Sequence, residues 1–254
     1  MEYKLNYVFE NEDTRDKKYT NIRKDINTTR IFSLDITKFK IYNQGILGSC
    51  VSNSIAGCIQ YYNNTINPSR LYIYFNGRAS GNTHNIIDDV GFGVRDGLKS
   101  VFDYSCCNET YWIYDVSAFS KMPTLNCYKN SFNFNNFMYY IIYQELSLLK
   151  SCLIDGNPII FGFIVYTSFM SDIVAKTGRV PMPSSQDFIV SSDTNEHRVL
   201  GGHSALIIGY NDNEQVFKCV NSWGTSWGEN GTFTIPYQYI LNPSLSSDFW
   251  MIQI

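Results

Sequence analysis

The 254-residue sequence predicts an α+β fold of two lobes, one mainly helical and one mainly β, with a cleft between them. Three observations carry this. Apolar residues in the first half recur every three or four positions. Those of the second half fall in short continuous or alternating runs bounded by turn residues. The change comes at a strong breaker, Asp155-Gly156-Asn157-Pro158. The expected division is an N-terminal segment over 1–42, pro-segment-like or packed on the β lobe, a mainly helical lobe over 43–140 and a mainly β lobe over 141–254. A cleft between lobes is the default place for a site.

Residues 1–42 are polar and mixed, and the alternation of Leu5, Tyr7 and Phe9 fits a short edge strand. The first helix is expected from Val51, because Val51, Ile55, Ile59 and Tyr62 share one face, with Ser49 as its N-cap. A second starts at Asn67-Pro68, a cap followed by proline at the first helical position, and carries Leu71, Tyr72 and Phe75. A third covers 94–102. Residues 103–136 read as an aromatic loop region, after which a long helical pattern runs to about Ile154. Beyond the breaker, 158–167 (PIIFGFIVYT) reads as a buried strand. Residues 203–211 and 215–223 read as a hairpin turning at Asn211-Asp212-Asn213-Glu214, and 231–235 as a further strand.

Composition bounds the function. With 44% hydrophobic and 17% charged residues the chain is that of a folded protein. Net charge is −3, from 20 Lys+Arg against 23 Asp+Glu, with no long run of either sign. That leaves no basic stripe for nucleic acid or an anionic membrane. No apolar run reaches the roughly 18 residues of a transmembrane helix. The opening MEYKLNYVFENEDTRDKK lacks the apolar core and cleavage site of a secretory signal. A reducing location, cytoplasmic or inside a virion, is therefore expected. Seven cysteines leave at least one thiol unpaired or paired between molecules.

The chemistry gathers around NQGILGSC, residues 43–50. A thiol in the first turn of a helix faces unpaired N–H groups and the positive end of the dipole, which favour thiolate. A buried cysteine is also a common small core residue, so this placement alone decides nothing. A base is available downstream. His203 opens GGHSALIIGY directly after two glycines, and a turn between Asp212 and Asn213 sets it across from Asn221 within one step of register. An Asn amide oxygen there can accept the Nδ1–H of the imidazole and turn the other ring nitrogen to a thiol. Trp223 and Trp227, in NSWGTSWGENGTF, can shield that hydrogen bond from water. Gln44, six residues before Cys50, can join the Cys50 backbone N–H as an oxyanion hole. In the order Gln, Cys, His, Asn these residues form one machine.

These motifs resemble the papain-like cysteine peptidases, the family of papain and the cathepsins. NQGILGSC is similar to the family's NQG-x-x-GSC signature, GGHSALIIGY to its histidine strand and NSWGTSWGENGTF to its Asn-Ser-Trp-Gly segment. The match in order and spacing runs from about residue 43 to the C-terminus. PSRLYIYFNGR, GFGVRDGLKS, GFIVYTSF, TGRVPMP and LSSDFW have the flavour of the compact bacterial and viral branch. The abundance of Asn, Ile, Tyr and Lys suggests an AT-rich genome, such as that of a large DNA virus or a protist.

The resemblance implies a papain-like fold with a β-barrel-like second lobe, a peptide or protein substrate, and no metal or organic cofactor. It implies Cys50, His203 and Asn221 as the catalytic set, with Gln44 and the Cys50 N–H as the oxyanion hole. It further implies that Gly91, with Val90 in place of a partner glycine, and Gly202 meet the substrate backbone. Phe163 either lines a pocket or belongs to the core. The insertion at 171–200 is expected to form a loop over the primed side of the cleft, and His197 within it reads as a surface histidine. There are departures: Val51 stands where an aromatic usually follows the nucleophile, and Asn53 takes a polar position after it. Leu47 stands where a disulfide cysteine is usual, which fits a reduced setting. Cys106-Cys107, Cys127 and His84 lack zinc spacing, and Asp88-Asp89 reads as a loop acid pair. Two other readings are a latent peptide-binding pseudoenzyme and an acyl or amide transferase on the same fold.

Overall fold

The computed structural model describes residues 3–81, 84–134, 136–184, 187 and 199–254. Helices α1 (Cys50–Tyr62), α2 (Arg70–Ser80) and α3 (Val94–Tyr104) pack together as the first lobe. The short α4 (Leu125–Lys129) follows, and α5 (Leu146–Ile154) and α6 (Asp172–Thr177) flank the sheet. The strands are β1 (Lys18–Tyr19), β2 (Ile31–Ser33), β3 (Met138–Ile142), β4 (Ile159–Tyr166), β5 (Val199–Asn211), β6 (Val216–Val220), β7 (Thr232–Pro236) and β8 (Ser246–Gln253). They form one sheet in the order β1-β3-β8-β4-β5-β6-β7, with β2 beside the far end of β5.

The α1 stripe falls as the sequence predicts: Val51, Ile55, Ala56, Cys58 and Ile59 are buried. The helix lies on β5, so its first residue meets the strand that carries His203. At α2 the cap is Ser69, whose hydroxyl accepts from the Tyr72 N–H at 3.2 Å, two residues after the predicted Asn67.

The predicted helix from 136 to 154 is half wrong. Met138–Ile142 is β3, paired antiparallel with β8, and only Leu146–Ile154 is helical. The run MYYII is aromatic and β-branched, and the ladder offered by β8 outweighs its helical spacing. That ladder is not legible in the sequence, because β8 lies more than a hundred residues away from β3, although Asn242-Pro243-Ser244 marks a turn just before it. The β lobe is also an open sheet and not a closed barrel, since β1 and β7 end it without meeting. The two-residue β1 offers too little backbone for a further ladder.

Residues 3–42 touch both the sheet and the helical lobe. β1 pairs parallel with β3, and β2 pairs antiparallel with β5. The expected Leu5–Phe9 edge strand is instead an extended run lying between the lobes. Its contacts are bridges from Asn6 to Gly202 and from Tyr7 to Phe92.

Candidate active site

Cys50 begins α1 and is fully buried. Ser49 precedes it as N-cap residue without a side-chain cap, because its hydroxyl bonds Tyr114 and Asn53. Backbone N–H groups of Ser204, Val51, Cys50 and Asn6 approach the sulfur and favour thiolate. Burial outweighs them and pushes the thiol up to about 12. Ser204 follows His203 on β5, so the amide beside the sulfur belongs to the residue next to the imidazole.

His203 is fully buried on β5. Its Nε2 lies 2.8 Å from Asn221 Oδ1, and that oxygen also accepts the Ser222 N–H at 2.8 Å. Nε2 therefore carries the hydrogen, and Nδ1, buried and without a hydrogen-bond partner, carries the lone pair. The pairing of His203 with Asn221 follows the expectation, but the nitrogens are exchanged: Asn221 takes Nε2, not Nδ1. One extra residue in β5 between Ile207 and Gly209 shifts the hairpin register, and the ladder closes at Leu206 opposite Val220. His203 reaches Asn221 beyond that last pair. Burial lowers the imidazole to about 4, and the Asn221 bond opposes it only in part. Trp223 lies over the ring at 4.9 Å, and Trp227 packs edge-on against Trp223 at 5.1 Å as a second layer.

Gln44 is fully buried and held by hydrogen bonds from both its backbone and its side chain. Its N–H donates to Ser222 O at 2.8 Å, its Oε1 accepts from Ser222 Oγ at 2.7 Å, and its Nε2 donates to Leu47 O at 2.9 Å. The remaining Nε2 hydrogen goes to Lys4 O at 3.1 Å, a carbonyl of the N-terminal segment.

That segment fills the groove. Tyr3 stacks on Trp223 at 4.2 Å, Lys4 Nζ pairs with Asp89 at 2.9 Å, and Tyr7 N–H donates to Gly202 O at 3.0 Å. A Cβ on Gly91, whose φ is +68°, would overlap the Asn6 carbonyl oxygen. Gly91 and Gly202 thus both lie against a peptide backbone, here the chain's own. Val90 stands beside Gly91 with its N–H on Asp88 O at 3.0 Å. Sequence reasoning missed Ser222 as the clamp on Gln44. It also missed Asp89, which accepts from the Gly48 N–H at 3.1 Å, from Tyr74 and from Lys4. The aspartate pair gave no signal of this, because its partners are distant in sequence.

Phe163 is a core residue, edge-on to His203 at 5.5 Å. His84 is exposed with Nδ1 on Ala79 O at 3.3 Å, and His197 lies outside the described residues, as does much of the 171–200 insertion. All seven cysteines are buried and free. Among the described residues no group of three or more His, Cys, Asp or Glu could hold a metal ion. Among them, too, no helix is long and apolar enough to cross a membrane.

A helical lobe against an open sheet, with a helix-start thiol beside a strand-borne imidazole, defines a papain-like cysteine protease fold. ProCathepsin B S9 from Trypanosoma congolense shares it with a TM-score of 0.66 at 16% identity, over 91% of this chain and 80% of that one. Xylellain, a cysteine protease from Xylella fastidiosa, superposes with a TM-score of 0.84 at 33% identity, over 98% of this chain and 95% of its own. The peptidase C1-like protein L477 of Acanthamoeba polyphaga mimivirus is 38% identical over 225 residues, spanning 83% of this chain and 68% of that protein. The sequence profile of papain family cysteine proteases matches residues 150–243. The chain belongs to the papain family of cysteine peptidases.

Proposed function

We propose that the protein hydrolyses peptide bonds through Cys50, His203 and Asn221, and that residues 3–10 hold it latent. One observation carries the catalytic assignment. Asn221 fixes Nε2 of His203 and leaves the buried Nδ1 without a partner, while the amide of the next residue reaches the Cys50 sulfur. Once the groove is open to a substrate, Nδ1 takes the thiol proton and the thiolate attacks the scissile carbonyl. Gln44 Nε2 and the Cys50 N–H stabilise the oxyanion. The protonated His203 gives its proton to the leaving amine, and a water activated by the neutral ring then hydrolyses the thioester. Trp223, backed by Trp227, keeps water from the His203–Asn221 bond. Gly91, with Val90 beside it, and Gly202 hold the substrate backbone where they now hold that of the segment.

The Lys4 carbonyl on Gln44 supports the oxyanion role, because an acyl oxygen of the chain already occupies that donor. Gln44→Ala, made in the full chain with Tyr3→Ala and Tyr7→Ala, is expected to lower kcat about 10²–10³-fold with KM nearly unchanged. Steady-state kinetics on a fluorogenic peptide check this. An unchanged kcat would remove Gln44 from the mechanism.

A further inference from the structure

The loop that carries Gln44 is tied down from the helical lobe. Tyr114, half-buried in the stretch between α3 and α4, donates its hydroxyl hydrogen to Gln44 O at 2.9 Å. With that hydrogen committed, Ser49 is the donor in the bond between the Ser49 and Tyr114 hydroxyls. Ser49 directly precedes Cys50, so one phenol oxygen bridges the two places in the chain that present the oxyanion donors. The Leu47 N–H reaches the same Gln44 carbonyl at 3.4 Å, and Leu47 O accepts Gln44 Nε2 at 2.9 Å. The turn that aims the amide therefore closes on the carbonyl that Tyr114 holds.

Behind this tie runs a relay whose hydrogens all point one way. Arg70 forks onto Glu109, with Nε at 2.9 Å and Nη2 at 2.8 Å. Its Nη1 donates to Asn53 Oδ1 at 3.2 Å and to Asn43 O, beside Gln44, at 3.1 Å. Asn53 Nδ2 donates to Ser49 Oγ at 3.0 Å, Ser49 to Tyr114, and Tyr114 to Gln44 O. The guanidinium lies 3.8 Å from the Tyr114 ring centre and 4.5 Å from that of Tyr42, which fixes the phenol ring as well as its oxygen. Hydrogen bonds in such a chain polarise one another, and a charged group at its head strengthens them. A ring kept only for packing would serve as phenylalanine. Here the hydroxyl is used, and Ser49 forgoes the N-cap bond of α1 to meet it.

Resting on the peptidase reading above, we infer that Tyr114 is a positioning residue of the oxyanion hole. Its hydroxyl holds the Gln44 main chain against Ser49 and thereby sets the spacing between Gln44 Nε2 and the Cys50 N–H. It acts through those two donors and not on the substrate itself. Donors stabilise an oxyanion best when their geometry is set before the charge develops, and a displacement of about 1 Å costs on the order of 10²-fold. Other bonds still hold the loop when the hydroxyl is lost, so Tyr114 is worth a smaller factor than Gln44.

The test compares Tyr114→Phe with its parent in the full chain carrying Tyr3→Ala and Tyr7→Ala. On a fluorogenic peptide amide, kcat is expected to fall about tenfold with KM nearly unchanged. Alkylation of Cys50 by iodoacetamide develops no oxyanion, and its rate is expected to stay within about twofold of the parent's. In a Gln44→Ala background there is no second donor to space, and Tyr114→Phe should then change kcat by less than about twofold. Ser49→Ala cuts the same tie from the other side. It is expected to reproduce the pattern, and it decides the matter where the phenylalanine variant fails to fold. An unchanged kcat overturns the inference. So does a loss of equal size with and without Gln44, or one matched by the iodoacetamide rate, because Tyr114 would then support the fold or the thiol in general. Each of these leaves the peptidase assignment standing. A parent that hydrolyses no peptide and whose Cys50 takes no label overturns the peptidase assignment and this inference with it.

Discussion

Replacing Tyr3 and Tyr7 together with alanine is expected to raise the reactivity of Cys50 toward iodoacetamide at neutral pH by at least about 100-fold. Emptying a buried aromatic site costs about 3 kcal/mol, and each 1.4 kcal/mol is a factor of ten. Here that cost falls on the seating of the segment, because Tyr7 is buried in the groove and Tyr3 stacks on Trp223. The pH dependence has a defined sign. With the segment seated, burial puts the thiol at about 12 and the imidazole at about 4, so the pair is neutral and thiolate is scarce at pH 7. Alkylation of the unsubstituted chain should therefore climb with pH toward about 12. Unseating returns water to the cleft, which lowers the thiol and raises the imidazole. The half-point of the rate profile should move to lower pH in the double variant. A profile and a neutral-pH rate identical to those of the parent would show that residues 3–10 do not control the thiol.

Cys50→Ala in the same unseated background is expected to lower kcat/KM for peptide hydrolysis by at least about 10⁴-fold. The melting temperature should fall by no more than about 2–4 °C, since one lost sulfur costs on the order of 1 kcal/mol in a chain of this size. Cys50 is fully buried, as are Cys58, Cys106, Cys107, Cys127, Cys152 and Cys219, so burial does not set it apart. Its surroundings do: it alone has the Ser204 and Asn6 amides on its sulfur and stands at the first position of a helix. A variant that no longer folds would show that the thiol is structural.

How far the sequence could be read follows the range of the interactions. NQGILGSC and the NSWG segment are local patterns, and each names its residues directly. α1 is also local, its stripe and its start both written in the spacing of Val51, Ile55 and Ile59. Long-range pairing was illegible. Met138–Ile142 takes its strand form from a partner more than a hundred residues away. The extra residue between Ile207 and Gly209 leaves no mark in the composition, yet it sets the hairpin register on which the His203–Asn221 pairing was argued. Ser222 and Asp89 act through partners brought near only by folding, Gln44 and Gly48 respectively. The alternation Leu5, Tyr7, Phe9 was visible, but a strand and an extended segment lying in a groove read alike in one sequence. What differs is the partner: a sheet edge in one case, and Gly91, Phe92 and Gly202 in the other.

The central claim is that Cys50 is an activated nucleophile served by His203 within a peptide-binding groove. Peptide mapping by mass spectrometry, after treating the full-length Tyr3→Ala/Tyr7→Ala chain with one equivalent of a peptidyl epoxide, tests it most directly. The account predicts a single adduct, on Cys50, formed alongside turnover of short peptides and lost when His203 is replaced by alanine. An adduct spread over Cys58, Cys107 or Cys219, or a folded chain that takes no label at all, would contradict it.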